Sequence, residues 1–463
     1  MSSVSRRSAA GNRRSVLASK TKSKRPVDDR VVWMGIDALV VNPRNARRHP
    51  REQIHKLARV IGTLHVFVPI LIDEENNILA GHGRLMAARS IGMTEVPTLA
   101  VSGLTDAEKR AFAIADNRTA EKAQWDYEIL CPELQELVVL IDVELTGFDT
   151  GQVDIMLDDK SLHPDDEPAE VPEAVDVVSR LGDLWQLGPH RLFCGDATAA
   201  GSYATLLGGG KANLVFTDPP YNVPIGGHVS GLGKVRHREF AMASGEMSPA
   251  QFVRFLVTVF GHLADHSMRA SIHYVLMDWR HLREVLSAGH EIYSDLKNIC
   301  VWNKDNAGMG TLYRSKHEMV LVFQNGSGKF TNNVNLGAAG RYRTNVWDYP
   351  GMTSMGKNRM DALAMHPTVK PVALVADAIR DCSKRNELVL DPFSGSGTTI
   401  IAAHRTGRIA AAVEIDPGYV DVAVERWQKA TGDIAVLAST GETFAMVRAA
   451  RTREALLATS DMD

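Results

Sequence analysis

Asp218, Pro219, Pro220 and Tyr221 follow directly on the apolar run Leu214 to Phe216, which reads as a buried strand. Neither proline donates a ladder hydrogen bond, and the residue before each is pushed away from helix, so the chain must leave the sheet in a stiff, extended turn. Such a turn fixes three things in space: a carboxylate at Asp218, a main-chain carbonyl at Pro219 that no neighbouring strand need use, and an aromatic face at Tyr221. Two acceptors beside a flat apolar plate suit a planar ring with an amino group on its edge.

A second motif lies near the C-terminus, where "ELVLDPFSGSGTTIIAAHRTG" joins an apolar strand to a helix through a glycine-rich turn. Gly395 and Gly397 permit close backbone approach of a ligand, and the N-terminus of the following helix presents donors and positive potential. The dinucleotide fingerprint wants a third glycine where Ile400 stands, and a phosphate loop wants Gly-Lys before Ser/Thr, so both phosphate readings lose ground. Further on, "AAAVEID" ends another strand on Glu414, placed to accept from a ribose diol. A Gly-rich turn with a spaced acid means a bound nucleoside. His317-Glu318 has no second histidine one helical turn later, so a zinc-hydrolase reading fails and no metal is required.

The elements that must hold these groups alternate apolar strands with helices from about residue 177: Leu192 to Cys194, Leu214 to Phe216, Ser271 to Leu276, Asn298 to Trp302, Met319 to Phe323, Glu387 to Leu390 and Ile409 to Val413. This pattern predicts an α/β fold, a Rossmann-like, doubly wound and mostly parallel sheet. Asn298 to Trp302 and Met319 to Phe323 have no helix between them and are expected to form an antiparallel hairpin at one edge. Ahead of this region, "PILIDEENNILAGHGRLMAARSIG" alternates strand, turn, strand and helix, with Asn76-Asn77 supplying the turn. "TDAEKRAFAIADNRTAE" reads as a helix opened by Thr105 with Glu108 three places on. The expected organisation is a disordered basic tail over 1–30, a small α+β domain over 31–158, an acidic proline-containing linker over 159–176, the α/β domain over 177–435 and an extension over 436–463.

The chain has 463 residues, of which 44% are hydrophobic, as in a globular protein with sizeable cores. Its four cysteines, Cys131, Cys194, Cys300 and Cys382, form no CxxC pair, which argues for a reducing compartment. No apolar run approaches a membrane span and no signal-peptide core follows the basic start, so a cytoplasmic protein is expected. The net charge of −3 conceals a tail of eight arginines and lysines before residue 26 with no acid among them. That tail reads equally as an arm for nucleic-acid phosphates or as a solvated leader, with a transit peptide as a third reading.

"DPPY", "DPFSGSGTT" and the intervening "HPTVKPVAL" together resemble the amino-methylating DNA methyltransferases that use S-adenosylmethionine, and their order is that of the permuted β-class. The resemblance covers roughly residues 177 to 430 and includes "LFCGDA", "HYVLMDWRHLREV", "VWNK" and "YRSKHEMVLVF". It implies a catalytic set of Asp218, Pro219, Pro220 and Tyr221, in which Asp218 and the Pro219 carbonyl hold the exocyclic amine and Tyr221 stacks on a base taken out of the duplex. It further implies that Asp391, Phe393, Gly395, Gly397 and Thr398 cradle the cofactor, Glu414 takes its ribose, Asp196 its adenine, and Thr368 with Lys370 its methionine end. Adenine and cytosine both present an amino group; Asp at position 218 leans toward adenine by family analogy. The basic stretch "GGHVSGLGKVRHREF" and the polar stretch Gly326 to Arg359, with Arg341, Arg343 and Lys357, are candidate DNA-reading segments, with solvated loops as the alternative.

"NPRNARRHP", "ILAGHGRLMAARSIG" and "IADNRTAE" resemble the ParB/sulfiredoxin-like domain over about residues 33 to 125. In some relatives the turn matching Gly81, His82, Gly83 and Arg84 holds nucleotide phosphates or contributes to nuclease activity; the alternative is a domain that only positions DNA or partners. The turn departs from the partition-protein pattern in having a single arginine and no acid, and its lack of a cysteine speaks against sulfiredoxin chemistry. The expected partner is double-stranded DNA, with a homodimer allowed and no membrane. Three functions stay open: a DNA amino-methyltransferase, a methyltransferase of the same fold acting on RNA or a protein amide, and a nucleotide-dependent DNA-binding or nicking protein.

Overall fold

The computed structural model describes residues 30–460 apart from 66, 123–124, 158–176, 223–244, 306, 308–311, 335–340, 342 and 352–369. The basic tail, the acidic linker, Lys357, Thr368 and the segment "GGHVSGLGKVRHREF" therefore lie outside the described residues. Two compact units emerge, one of residues 1–130 with 144–147 and one of residues 131–143 with 148–463. No helix among the described residues is long and apolar enough to cross a membrane.

In the first unit four strands, β1 (Val32–Gly35), β2 (Ile70–Ile72), β3 (Ile78–Ala80) and β4 (Glu95–Ala100), form a sheet in the order β1-β4-β2-β3. The turn joining β2 to β3 is built as its sequence suggests: Asn76 takes a positive φ of 64°, and Asp73 Oδ1 accepts from the amides of Glu75 and Asn77. Helices Arg51–Leu64 and His82–Ser90 pack together through Ile54, Ala58, Ile61 and Ala87. Thr105 and Glu108 cap helix Asp106–Lys122 reciprocally, as the S/T-x-x-E pattern requires.

The second unit is built on ten strands in the order β11-β9-β10-β8-β7-β12-β13-β6-β5-β14. They are β5 (Leu184–Leu187), β6 (His190–Cys194), β7 (Ala212–Thr217), β8 (Ser267–Met277), β9 (Asp295–Asn303), β10 (His317–Gln324), β11 (Val346–Asp348), β12 (Leu388–Asp391), β13 (Ile409–Glu414) and β14 (Val436–Leu437). The five central strands β8, β7, β12, β13 and β6 run parallel. Alternate residues fill opposite faces: Leu214 and Phe216 join the core with helices Val372–Cys382, Thr398–Thr406 and Pro417–Thr431, and Val215 joins the one with helices Ala200–Leu207, Pro249–Asp265 and Leu282–Ile292.

The sheet departs from the expected one at both edges. β9 and β10 form the foreseen antiparallel hairpin, but β11 pairs parallel to β9 beyond it. At the other edge β5 and β14 add antiparallel strands. The stretch 436–463 is thus no mere extension: β14 extends the sheet, and Phe444 packs edge-on against the buried Trp185 at 5.1 Å. The boundary expected at 158 also moves. Helix Thr150–Met156 belongs to the second unit, where Asp154 takes both terminal nitrogens of Arg408 at 3.1 and 2.8 Å, all with side chains inaccessible to solvent. A polar amphipathic stretch in the sequence does not disclose that its one acid meets an arginine 254 residues away.

Candidate active site

Parallel strands bring their carboxyl ends to one edge of the sheet. Neighbouring strands β7, β12, β13 and β6 there deliver Asp218, Asp391, Glu414 and Asp196 in that order, at the strand spacing of about 4.8 Å per step. β10 runs antiparallel to β8, so its first residues, His317 and Glu318, reach the same edge, as does Lys304 just after β9.

At the end of β7 the proline turn leaves the sheet as expected, and among the described residues no donor reaches the Pro219 carbonyl. Pro219 is buried and Pro220 partly so. Tyr221 is not an exposed plate. It packs against the apolar core, and its hydroxyl donates toward Asp218 Oδ1 at 2.6 Å and Glu318 Oε2 at 3.0 Å. Lys370 Nζ lies 2.5 Å from Asp218 Oδ2 and 3.4 Å from Glu318 Oε2. Lys304 holds Glu318 Oε1 and rests over the Trp302 ring at 4.4 Å. The next residue, Asn222, takes a positive φ of 54° and binds Gly245 and Met247 through both ends of its amide.

The electrostatics follow from this enclosure. Burial and the nearby Glu318 raise the Asp218 carboxyl above its ordinary value against the pull of Lys370. Burial also disfavours the Glu318 charge, but Lys370 and Lys304 outweigh it and hold this carboxyl at about 2. Burial would lower the Lys370 ammonium, yet the two carboxylates raise it. Two ammonium groups thus face two carboxylates in one charge-balanced cluster.

Along the edge, Asp391 Oδ1 accepts from the Phe393 amide at 3.0 Å and Oδ2 from the Thr399 hydroxyl at 2.6 Å. Glu414 accepts from the Gly395 amide at 2.8 Å and the Asp416 amide at 2.9 Å. Burial pushes each up to about 7, and for Asp391 the charges of Asp218 and Glu414 add to it. Gly395 has a positive φ of 51° and open space where a Cβ would stand. Gly397 is also at positive φ, and a Cβ there would lie 2.8 Å from that of Ala423, so close packing of a helix requires glycine at this position. Thr398 Oγ1 accepts from Arg426, and the Phe393 ring leans on Phe255 at 6.0 Å. Asp196 closes its own turn by accepting from the Thr198 amide at 2.7 Å.

The residues fit a nucleoside-bearing sulfonium. Glu414 has only backbone amides as partners among the described residues, and the Ser394 hydroxyl is buried in the glycine-rich turn with no hydrogen-bond partner among them. Lys370, expected at the methionine end, precedes helix Val372–Cys382, which packs on β7, and lies against Asp218. Glu318 and Lys304 were missed as site residues, although both sit inside the quoted "VWNK" and "YRSKHEMVLVF"; the sequence signal was a charge at the end of an apolar strand. Arg341 and Arg343 do not face DNA. They are buried against Asp377 and Asp381, one turn apart on helix Val372–Cys382.

In the first unit, Gly81 has a φ of 108° and opens helix His82–Ser90, so the predicted turn does meet a helix N-terminus. His82 Nε2 accepts from the Asn42 amide at 3.4 Å, and burial with His49 nearby lowers its pKa. Gly83 faces the His49 ring. Arg84 donates to the Pro69 carbonyl at 3.3 Å while its Nε is buried without a hydrogen-bond partner among the described residues, and burial lowers its pKa against the pull of Asp116.

Known proteins resemble the two units separately. The DNA methylase family model matches residues 212–425, and that of the ParB N-terminal domain matches residues 20–118. The type II methyltransferase M.ScaI of Streptomyces caespitosus is 39% identical over 87 residues, 19% of this chain and 29% of that protein. YnaK of Escherichia coli, a ParB-like nuclease domain-containing protein, is 41% identical over 81 residues, 18% of this chain and 93% of its own length. The DNA adenine methyltransferase YhdJ of Escherichia coli is 25% identical over 241 residues, 47% of this chain and 76% of that protein.

Proposed function

Since this chain is a DNA methylase of the N6/N4 family with a ParB N-terminal domain ahead of it, we propose that it methylates the N6 amine of adenine in double-stranded DNA, with S-adenosylmethionine as cofactor. The observation that carries this reading is the pairing, at the end of β7, of the Asp218 carboxylate with a Pro219 carbonyl that no described donor uses. When bound, the cofactor supplies an electrophilic methyl group on a sulfonium. Asp218 and the Pro219 carbonyl each accept one N–H of the amine, which turns the nitrogen lone pair out of the ring's π-system. The new N–C bond would form as the sulfonium S–C bond breaks, its electron pair remaining on the sulfur of a neutral thioether, and Asp218, its pKa raised by burial, takes the proton that the nitrogen then loses. The base leaves the duplex at a cost of a few kcal/mol, and positioning then carries much of the rate. Glu414, Asp391 and the Gly395 turn hold the nucleoside end of the cofactor.

The adenine preference is supported by Asp218 itself and by the likeness to YhdJ, a DNA adenine methyltransferase. Incubating full-length protein with labelled S-adenosylmethionine and duplex DNA, followed by nucleoside analysis, tests it. Label in N6-methyladenine is expected; label in N4-methylcytosine overturns the base assignment, and label only in RNA or protein overturns the substrate class. For the first unit, the unpartnered buried Nε of Arg84 beside a helix N-terminus favours an anion-binding turn at Gly81, His82, Gly83 and Arg84. Titration with nucleoside triphosphates, lost in Arg84→Ala, is the check; no binding in the wild type leaves the unit a positioning domain for DNA or for a second copy of the chain.

A further inference from the structure

Both oxygens of Asp218 already have partners, the Tyr221 hydroxyl on Oδ1 and the Lys370 ammonium on Oδ2. An amine arriving at this carboxylate competes with both. The same two donors have a second acceptor within reach: Glu318 Oε2 lies 3.0 Å from the Tyr221 oxygen and 3.4 Å from Lys370 Nζ. A tyrosine hydroxyl carries one hydrogen, so it serves one of its two carboxylates at a time, and rotation about its C–O bond changes which. Lys370 needs a shift of only about half an ångström to reach normal hydrogen-bond distance from Glu318.

Building on the methyltransferase reading above, we propose that Glu318 is the alternate acceptor of this site, taking over the Tyr221 hydroxyl and the Lys370 ammonium when the target amine engages Asp218. Its fixation suits the role. Lys304, braced on Trp302, holds Oε1 and leaves Oε2 turned to the two donors. No charge has to enter or leave during the exchange, because the two carboxylates and two ammonium groups keep the cluster balanced. Glu318 touches no substrate in this scheme and is a positioning residue.

The role predicts a pH signature. Asp218 is faced by Lys370 ahead of helix Val372–Cys382, by Glu318 from β10 with Lys304 behind it, by Tyr221 from its own turn and by Asp391 from β12. Asp218 must be ionised to accept the amine. Glu318 raises its pKa, so removing that negative charge lets it ionise at lower pH.

The experiment is steady-state methylation of duplex DNA across pH by full-length wild type, Glu318→Gln and Glu318→Asp, with cofactor affinity by calorimetry. Glu318→Gln is expected to lower kcat by about a hundredfold, the cost of a misplaced reacting group, to move the acid limb of kcat/KM to lower pH, and to leave cofactor affinity unchanged. Glu318→Asp, which keeps the charge, should recover part of kcat and hold the acid limb near the wild-type position. Wild-type kcat in Glu318→Gln, or a lower kcat with an unmoved acid limb, overturns the role. Should the glutamine protein fail to fold, the aspartate variant carries the test: reduced kcat at unchanged cofactor affinity supports the role and wild-type kcat overturns it. A wild type that binds cofactor yet methylates no DNA overturns the methyltransferase reading itself, and this inference with it.

Discussion

Two acid pairs, one partly buried and one buried, stand along one edge of the large sheet and are stabilised in opposite ways. Asp218 and Glu318 meet Lys370 and Lys304 and are charge-balanced with nothing bound. Asp391 and Glu414 have only amide and hydroxyl donors among the described residues, and burial pushes both up to about 7. The first pair is suited to a neutral donor such as an amino group, since another cation would unbalance it. The second is electrostatically incomplete, and a ligand bringing hydroxyls and a positive centre completes it. Similar carboxylates at similar strand ends thus differ in whether lysine meets them, and in the proposed function this difference separates the substrate acid from the cofactor acids.

The largest effect expected from this contrast is on turnover. Asp218→Ala should cut methyl transfer by about a thousandfold, the upper range for one lost transition-state partner, while cofactor affinity stays near wild type. Near-normal turnover on DNA would show that the charge-balanced pair is not the catalytic one.

A third buried acid offers the limiting case of full compensation. Asp154 is held bidentately by Arg408 and also paired with Arg385 at 3.1 Å, so Asp154→Ala should lower stability by about 3–5 kcal/mol, the cost of leaving a buried charge unpaired. A chain of residues 170–463, which the sequence alone would favour as a self-sufficient methyltransferase, should show the same loss; one starting near residue 131 should not. Chemical denaturation of the three proteins checks this, and equal stability would remove Asp154 from the methylase unit.

Next comes cofactor affinity. Glu414→Ala should weaken S-adenosylmethionine binding by about 1.5–3 kcal/mol, more than tenfold, through the loss of a charge-assisted bond. Unchanged affinity in calorimetric titration would move the cofactor away from the incomplete pair.

The smallest effect is a pH dependence of opposite sign to the usual acid case. Asp391 and Glu414 bind more protons folded than unfolded, so their contribution to stability is complete below the ordinary carboxylate range and is lost as pH rises through about 7. The melting temperature of the ligand-free protein should therefore carry a falling component between about pH 5 and pH 8, reduced in Glu414→Gln. Cofactor binding favours the ionised forms, so affinity should strengthen over the same range with release of protons. Affinity independent of pH would mean that these acids do not face the cofactor's positive charge.

The turn at Asp218, the glycine-rich turn, the central parallel strands and the capping pair Thr105 and Glu108 were legible because each rests on local rules. Prolines after an apolar run, glycine at positive φ, period-2 burial and an S/T-x-x-E spacing act within a few residues of chain. Their order in the sequence also identified the methylase domain and the ParB domain. Whatever depended on meeting a distant partner was not legible. The pairing of Lys370 with Asp218 was not foreseen, and Arg341 and Arg343 read as candidate DNA contacts, because a charged side chain carries no local mark of the acid it will meet. Glu318 lay unread for the same reason, one hundred residues after the aspartate it faces. Local stereochemistry thus settled the central strands and the turns in the sequence alone, and the resemblance of the motifs pointed to the family. Only the tertiary structure decided which acids are neutralised by lysine or arginine and which are left to a ligand, because that balance is set by the desolvation and proximity of groups that fold together from far apart.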